Sequence, residues 1–163
     1  GLVLTLVGNP HRSLSAFVPD SFVPWVHVNP QAMLQRRKDA LQALALIPSD
    51  ASVSADTPLL PRLAQREVAI RFPDGVRYRD RRGVERQVDW VVAFPGFYTP
   101  FTPLFKRETE QQEQILRDLD ALVSSGDYQR RYCARGLVVL RRADGIVEAP
   151  MANSGSATDC LER

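Results

Sequence analysis

The stretch Val88–Phe94, VDWVVAF, does more than any other to limit what this chain can become. It is apolar throughout except for Asp89 near its start. A strand with one wet face alternates apolar and polar residues, whereas an unbroken apolar run needs cover on both faces. That places Val88–Phe94 inside a sheet with helices above and below. The chain has the material for such a core: of 163 residues 44% are hydrophobic and 25% charged, the balance of one ordinary globular domain.

The flanking segments fit the same architecture. Residues 31–47, QAMLQRRKDALQALALI, put Met33, Leu34, Leu41, Leu44 and Ala45 near one face and Arg36, Arg37, Lys38 and Asp39 on the other, as in a helix stopped by Pro48. Ser52–Ala55 reads as a short strand. Residues 58–65 read as a short helix with Pro58 in the first turn and Asp56 or Thr57 as its N-cap. Residues 67–72 alternate as a strand, and 73–87 form a charged insertion with turn marks at Gly75 and Gly83. An aromatic, Pro-rich loop at 95–105 precedes an amphipathic helix at 107–124 that Gly126 ends. Two strands then meet at Arg135-Gly136. Strands alternating with helices predict an α/β three-layer sandwich with a mostly parallel sheet, a closing antiparallel hairpin and an irregular Pro-rich N-terminal arm. The expected division is an arm at 1–30, a single α/β domain at 31–145 and a disordered tail at 146–163, which lacks apolar periodicity.

Several chemistries find no support. Net charge is only +2, which argues against nucleic acid as a partner. Two of the 21 basic residues are Lys, Lys38 and Lys106, so 19 are Arg, a usage that carries no mechanism by itself. His11, His27, Cys133 and Cys160 lack metal-ligand spacing, and no cofactor fingerprint is present. A Cys133–Cys160 disulfide is open to the chain in an oxidising compartment, while Cys133 alone reads as a buried strand residue. No G-x-S-x-G elbow or Cys–His partnership suggests a nucleophile, so no catalytic residue is assigned. Asp56 and Asp89 do not make a carboxylate pair, because one ends a strand and the other begins one.

Two candidate sites remain. The segment Ser54–Pro58 has the strand–loop–helix layout of a nucleotide site but no glycine, and Asp56 would repel a phosphate. Asp56 and Thr57 are therefore either helix caps or ligand-facing groups, with Arg62 nearby, at the C-terminal sheet edge where open α/β folds bind ligands. Between residues 62 and 86 eight Arg stand against four acids, and Arg79, Arg81 and Arg82 form its densest part. This is either a solvated face or a surface for anionic lipid or polymer. Trp25 and the loop aromatics Phe97, Tyr98, Phe101 and Phe105 suit packing or stacking on a sugar.

The segments GNPHRSLS, VPDSFVPW, IPSDASVSADTPLLPRLAQRE, RFP and VDWVV resemble a family of predicted bacterial membrane proteins of unknown function, domain of unknown function 2079, and cyanobacterial members most of all. The resemblance covers about residues 8–95 well and the closing hairpin more loosely. It implies a polytopic protein distantly similar to membrane glycosyltransferases that use lipid-linked sugars. This chain would be its soluble C-terminal domain on the extracytoplasmic, periplasmic side. Read alone, Gly1–Gly8, GLVLTLVG, favours an ordinary strand; the resemblance makes it the end of a membrane helix, with the apolar arm along the membrane surface. The family supplies no catalytic residues. The expectation is a non-catalytic domain that shapes or covers a membrane-embedded site, or binds a glycan or partner. Its partners would be the rest of the membrane protein, the membrane surface and a glycan or lipid-linked sugar. The alternative is a free-standing nucleotide- or sugar-binding protein or enzyme that uses the Asp56-Thr57 edge.

Overall fold

In a computed structural model of the chain, Val88–Phe94 supplies the strand β5, Trp90–Ala93, in which every residue is buried. The structure describes residues 30–103, 105–143 and 156–162. The expected arm at 1–30 and membrane-helix end at 1–8 lie outside the described residues, Pro30 apart. The chain divides into two compact units, Gly1–Asp39 and Ala40–Arg163. Of the first unit only the opening of helix α1, Pro30–Ala45, is described; there Gln35 donates a 2.9 Å hydrogen bond to Asp39.

The second unit is built on a five-stranded sheet of order β2-β1-β5-β7-β6. Strands β1, Val53–Asp56, and β2, Ala69–Phe72, run parallel to each other, and β1 runs parallel to β5. Antiparallel β7, Leu137–Arg142, and β6, Tyr128–Ala134, close the other side. The mostly parallel sheet with a closing hairpin is thus the observed fold. The charged insertion at residues 73–87 forms a separate two-stranded hairpin of β3, Arg77–Arg79, and β4, Glu85–Gln87.

Period-two alternation sorts the sheet's side chains into two cores. Val53, Ala55, Trp90, Val92, Leu137 and Val139 join Ala40, Ala43 and Ile47 on one face. Val91, Ala93, Val138 and Leu140 join Ile115 and Leu119 of helix α2, Lys106–Ser124, on the other. These are the outer layers that Val88–Phe94 required. Arg66 holds the first layer in place. Its guanidinium donates to the carbonyls of Ile47 at 3.0 Å, Pro48 and Ala51 at 3.1 Å, all in the turn that follows α1.

Two expectations need correction. The helix at 58–65 is only a 3₁₀ turn, Leu60–Arg62, and no side chain caps it. Pro61 follows Pro58 closely, so a second backbone donor is missing where an α-helix needs one. The tail is not wholly without structure either. Asp159–Glu162 forms a short helix, α3, and Cys160 is bonded to Cys133 of β6 with Cα atoms 5.1 Å apart. Asp120 of α2 accepts hydrogen bonds from the Ala157 amide and the Ser156 hydroxyl, both at 2.7 Å. Ala157 and Cys160 are fully buried in the second core. Composition alone could not reveal a segment held by one covalent bond and one carboxylate.

The β6–β7 turn shows how closely the backbone is packed. Arg135 and Gly136 both take positive φ, 52° and 73°, as a tight two-residue hairpin turn demands. A Cβ on Gly136 would lie 2.5 Å from the Cα of Gly96, and the Gly96 amide donates to the Gly136 carbonyl at 3.0 Å. Gly83 has φ 77° but open space around it. Gly136→Ala should therefore cost about 2–4 kcal/mol, backbone strain plus steric overlap. Gly83→Ala should cost only about 1 kcal/mol. Urea titration of both variants checks the difference, since overlap should lower the midpoint of Gly136→Ala much further at an unchanged slope.

Candidate functional site

The two ends of the sheet have opposite characters. At the C-terminal end β1 finishes on Asp56, whose side chain is completely buried. The carboxylate accepts hydrogen bonds from the Tyr98 hydroxyl at 2.8 Å, the Thr57 amide at 2.7 Å and the Phe94 amide at 3.3 Å. Tyr98 in turn accepts from the Gln111 amide of α2 at 2.9 Å. Gln112 beside it donates to the Pro95 carbonyl and the Thr99 hydroxyl, both at 2.9 Å. One carboxylate thus ties β1, the end of β5, the 95–105 loop and α2 together.

Burial pushes the Asp56 carboxyl above its ordinary value of 3.8. The Tyr98, Phe94 and Thr57 hydrogen bonds and the Arg71 charge oppose that shift. Burial and the neighbouring carboxylate raise the Tyr98 hydroxyl well above its ordinary value, so it remains a donor. Both carboxylate oxygens are occupied from within the protein. Thr57 and Arg62 stand exposed beyond this network, and among the described residues neither makes a side-chain hydrogen bond or ion pair.

At the N-terminal end a groove of about 370 Å³ opens between the sheet and the β3–β4 hairpin. Its floor is a latch between Ser52, just before β1, and Asp89, just before β5. The Ser52 hydroxyl and amide donate to Asp89 at 2.6 and 3.2 Å, and the Asp89 amide donates back to the hydroxyl at 2.9 Å. Arg142 pairs with the other Asp89 oxygen at 3.0 Å. Asp56 and Asp89 therefore sit at opposite sheet edges, as their strand positions predict. The hairpin wall is held by Asp80, which accepts from the amides of Arg82 at 2.8 Å and Val84 at 3.0 Å and pairs with Arg86 at 2.7 Å. The Arg86 hydrogen bond, followed by that of the Val84 amide, holds the Asp80 carboxyl below its ordinary range.

The structure separates the three arginines of the candidate anionic surface. Arg79 and Arg81 line the groove. Arg81 reaches across to Glu67 at 3.2 Å, a highly exposed pair, and among the described residues Arg79 has no hydrogen bond or ion pair. Arg82 lies at the hairpin tip, outside the groove lining. The loop aromatics divide as well. Tyr98 serves Asp56, while Phe97 meets the Tyr98 ring edge-on at 5.4 Å and the Phe101 ring at 5.8 Å. Sequence reading missed Tyr98 and Gln111 as partners of Asp56 and missed the groove itself. The signal available was weak: a Tyr in an aromatic loop and a Gln in the first turns of a helix.

Asp56 gives this network a pH signature. Its folded carboxyl binds a proton more readily than the unfolded one, so its protonation stabilises the fold as pH falls through the raised value toward 3.8. Asp56→Asn should cost about 1–3 kcal/mol at neutral pH, because its amide would face the Phe94 donor. The gap from the parent should widen as pH falls through that window. Denaturant titrations at several pH values check this, and a gap independent of pH would show that the carboxyl is not raised.

Among the described residues no three His, Cys, Asp or Glu side chains gather as a metal site, and no helix is long and apolar enough to cross a membrane. In comparison with known proteins, the family described as predicted membrane protein, domain of unknown function 2079, matches residues 1–139. No curated protein and no solved structure matches the chain.

Proposed function

The chain belongs to the domain of unknown function 2079 family of predicted membrane proteins, and on that footing we propose that it is a non-catalytic extracytoplasmic domain of a polytopic, glycosyltransferase-like protein. Its work would be to shape or cover the acceptor side of a membrane-embedded site, or to bind a glycan or partner there. The observation that carries the reading is the Cys133–Cys160 disulfide. Such bonds form and persist in oxidising compartments and are rare in a reducing cytoplasm. This one fixes α3 onto the hairpin, and the Gly136 amide donates to the Cys160 carbonyl beside it at 2.6 Å. The closed C-terminal edge supports the non-catalytic part. Where open α/β folds seat a ligand, Asp56 spends both oxygens on the chain itself.

The placement is tested in intact cells carrying the whole membrane protein. A reporter cysteine at Val84, which is 52% exposed in the hairpin turn, should react with a membrane-impermeant maleimide without lysis. Labelling only after lysis would overturn the extracytoplasmic reading. Cys133 and Cys160 should resist alkylation until reduced. The bond spans 27 residues of sequence, so removing it with Cys133→Ser and Cys160→Ser together should cost about 3.5 kcal/mol by loop entropy. A thiol count under denaturing, non-reducing conditions and a denaturant titration check these two expectations.

A further inference from the structure

We propose that the groove at the N-terminal edge of the sheet is a binding site for an uncharged carbohydrate. Its ligand class follows from the charges around it. Three guanidinium groups, Arg79, Arg81 and Arg86, face four carboxylates, those of Asp50, Glu67, Asp80 and Asp89. Arg142, paired with Asp89 from outside the lining, balances the count. A phosphate or carboxylate entering here would meet as many acids as bases, so the groove offers no net attraction to an anion. Nor does it suit an apolar ligand, since Val68 and Tyr78 supply most of its apolar wall.

What it does offer is a dense set of fixed donors and acceptors. Adjacent hydroxyls of a sugar ring act as donor and acceptor together, and a planar guanidinium or a carboxylate meets two of them at once. The partners already spent are known. Asp80 and Arg86 hold each other, and Asp89 is held by Ser52 and Arg142. They make a rigid frame. Among the described residues Arg79 makes no hydrogen bond or ion pair, and the Asp50 carboxylate, which feels the Arg66 charge, accepts no hydrogen bond, which leaves one donor fork and one acceptor for a ligand. The half-buried Tyr78 gives the C–H face of a sugar something to lie on. The volume of about 370 Å³ is at the small end for a ligand site, the scale of one or two sugar rings. The exposed Arg81–Glu67 pair crosses the mouth, and such a pair opens at little cost.

The inference deepens the glycan arm of the proposed function, but it rests on the groove alone and stands whichever side of the membrane the domain occupies. The test uses the purified chain, ¹⁵N-labelled, with methyl glucoside, methyl mannoside, methyl galactoside and their disaccharides as probes and glucose 1-phosphate as the charged comparison. At least one neutral sugar should bind with a Kd on the order of millimolar. Amide shifts should be confined to residues 50–52, 67–68 and 77–89. Arg79→Gln and Asp50→Asn should each weaken binding at least tenfold. Arg79→Gln should melt like the parent, since its side chain makes no hydrogen bond or ion pair among the described residues, and Asp50→Asn, which gives up only the attraction to the Arg66 charge, should melt close to it. Three results would each overturn the proposal: no shift with any neutral sugar, shifts centred on residues 56–62 and 97–99 instead, or tighter binding of glucose 1-phosphate than of the uncharged probes.

Discussion

A carboxylate with no access to water sets the terms for the C-terminal half of this molecule. Asp56 sits at the end of a central strand and is fully buried. A buried carboxylate is costly unless its oxygens are satisfied. Here the Thr57 and Phe94 amides and the Tyr98 hydroxyl meet them, and Gln111 completes the chain outward to α2. The loop after β5 must therefore turn back over the end of the sheet. That return brings Gly96 into contact with Gly136 of the closing hairpin, where neither residue has room for a Cβ. Helix, loop and hairpin are positioned by the same need to satisfy one acid.

The consequence for function is an exchange of edges. A parallel sheet ordinarily leaves its C-terminal edge for a ligand. In this chain that edge carries its own filling, while the opposite edge is held apart by the β3–β4 hairpin. Ser52 and Asp89 latch the two parallel strands below that groove, and Arg142 brings β7 to the same point. The groove walls are thus built by rigid elements, and its unspent groups come from the hairpin and from the loop after α1. Membership in a family of predicted membrane proteins and a disulfide that pins α3 are the two observations from which the proposed extracytoplasmic placement is argued.

Much of the fold was legible because it followed from periodicity. Val88–Phe94 required two covered faces, and the structure supplies two cores. The turn at Arg135-Gly136 was marked by its glycine. What failed to show in the sequence depended on single long-range contacts. Asp56-Thr57-Pro58 reads as a helix cap under local rules, and it is Tyr98, 42 residues away, and the Phe94 amide, 38 residues away, that hold Asp56 inward. The last residues look structureless by composition, and contacts with Cys133, Asp120 and the Gly136 amide give residues 156–162 a place. The groove was invisible for the same reason. Its arginines were countable, but three of the four acids that line it with them, Asp50, Glu67 and Asp89, lie outside the hairpin that carries the arginines.

The most direct measurement of this account is a double-mutant cycle between Asp56→Asn and Tyr98→Phe, read by denaturant unfolding at neutral pH. If the buried carboxylate is the structural tie described here, the two losses will not add, and the coupling will be about 1–3 kcal/mol. Additive losses, with a coupling near zero, would mean that Asp56 and Tyr98 do not depend on each other. The C-terminal edge would then be open to a ligand, and the assignment of structure to one edge and binding to the other would fail.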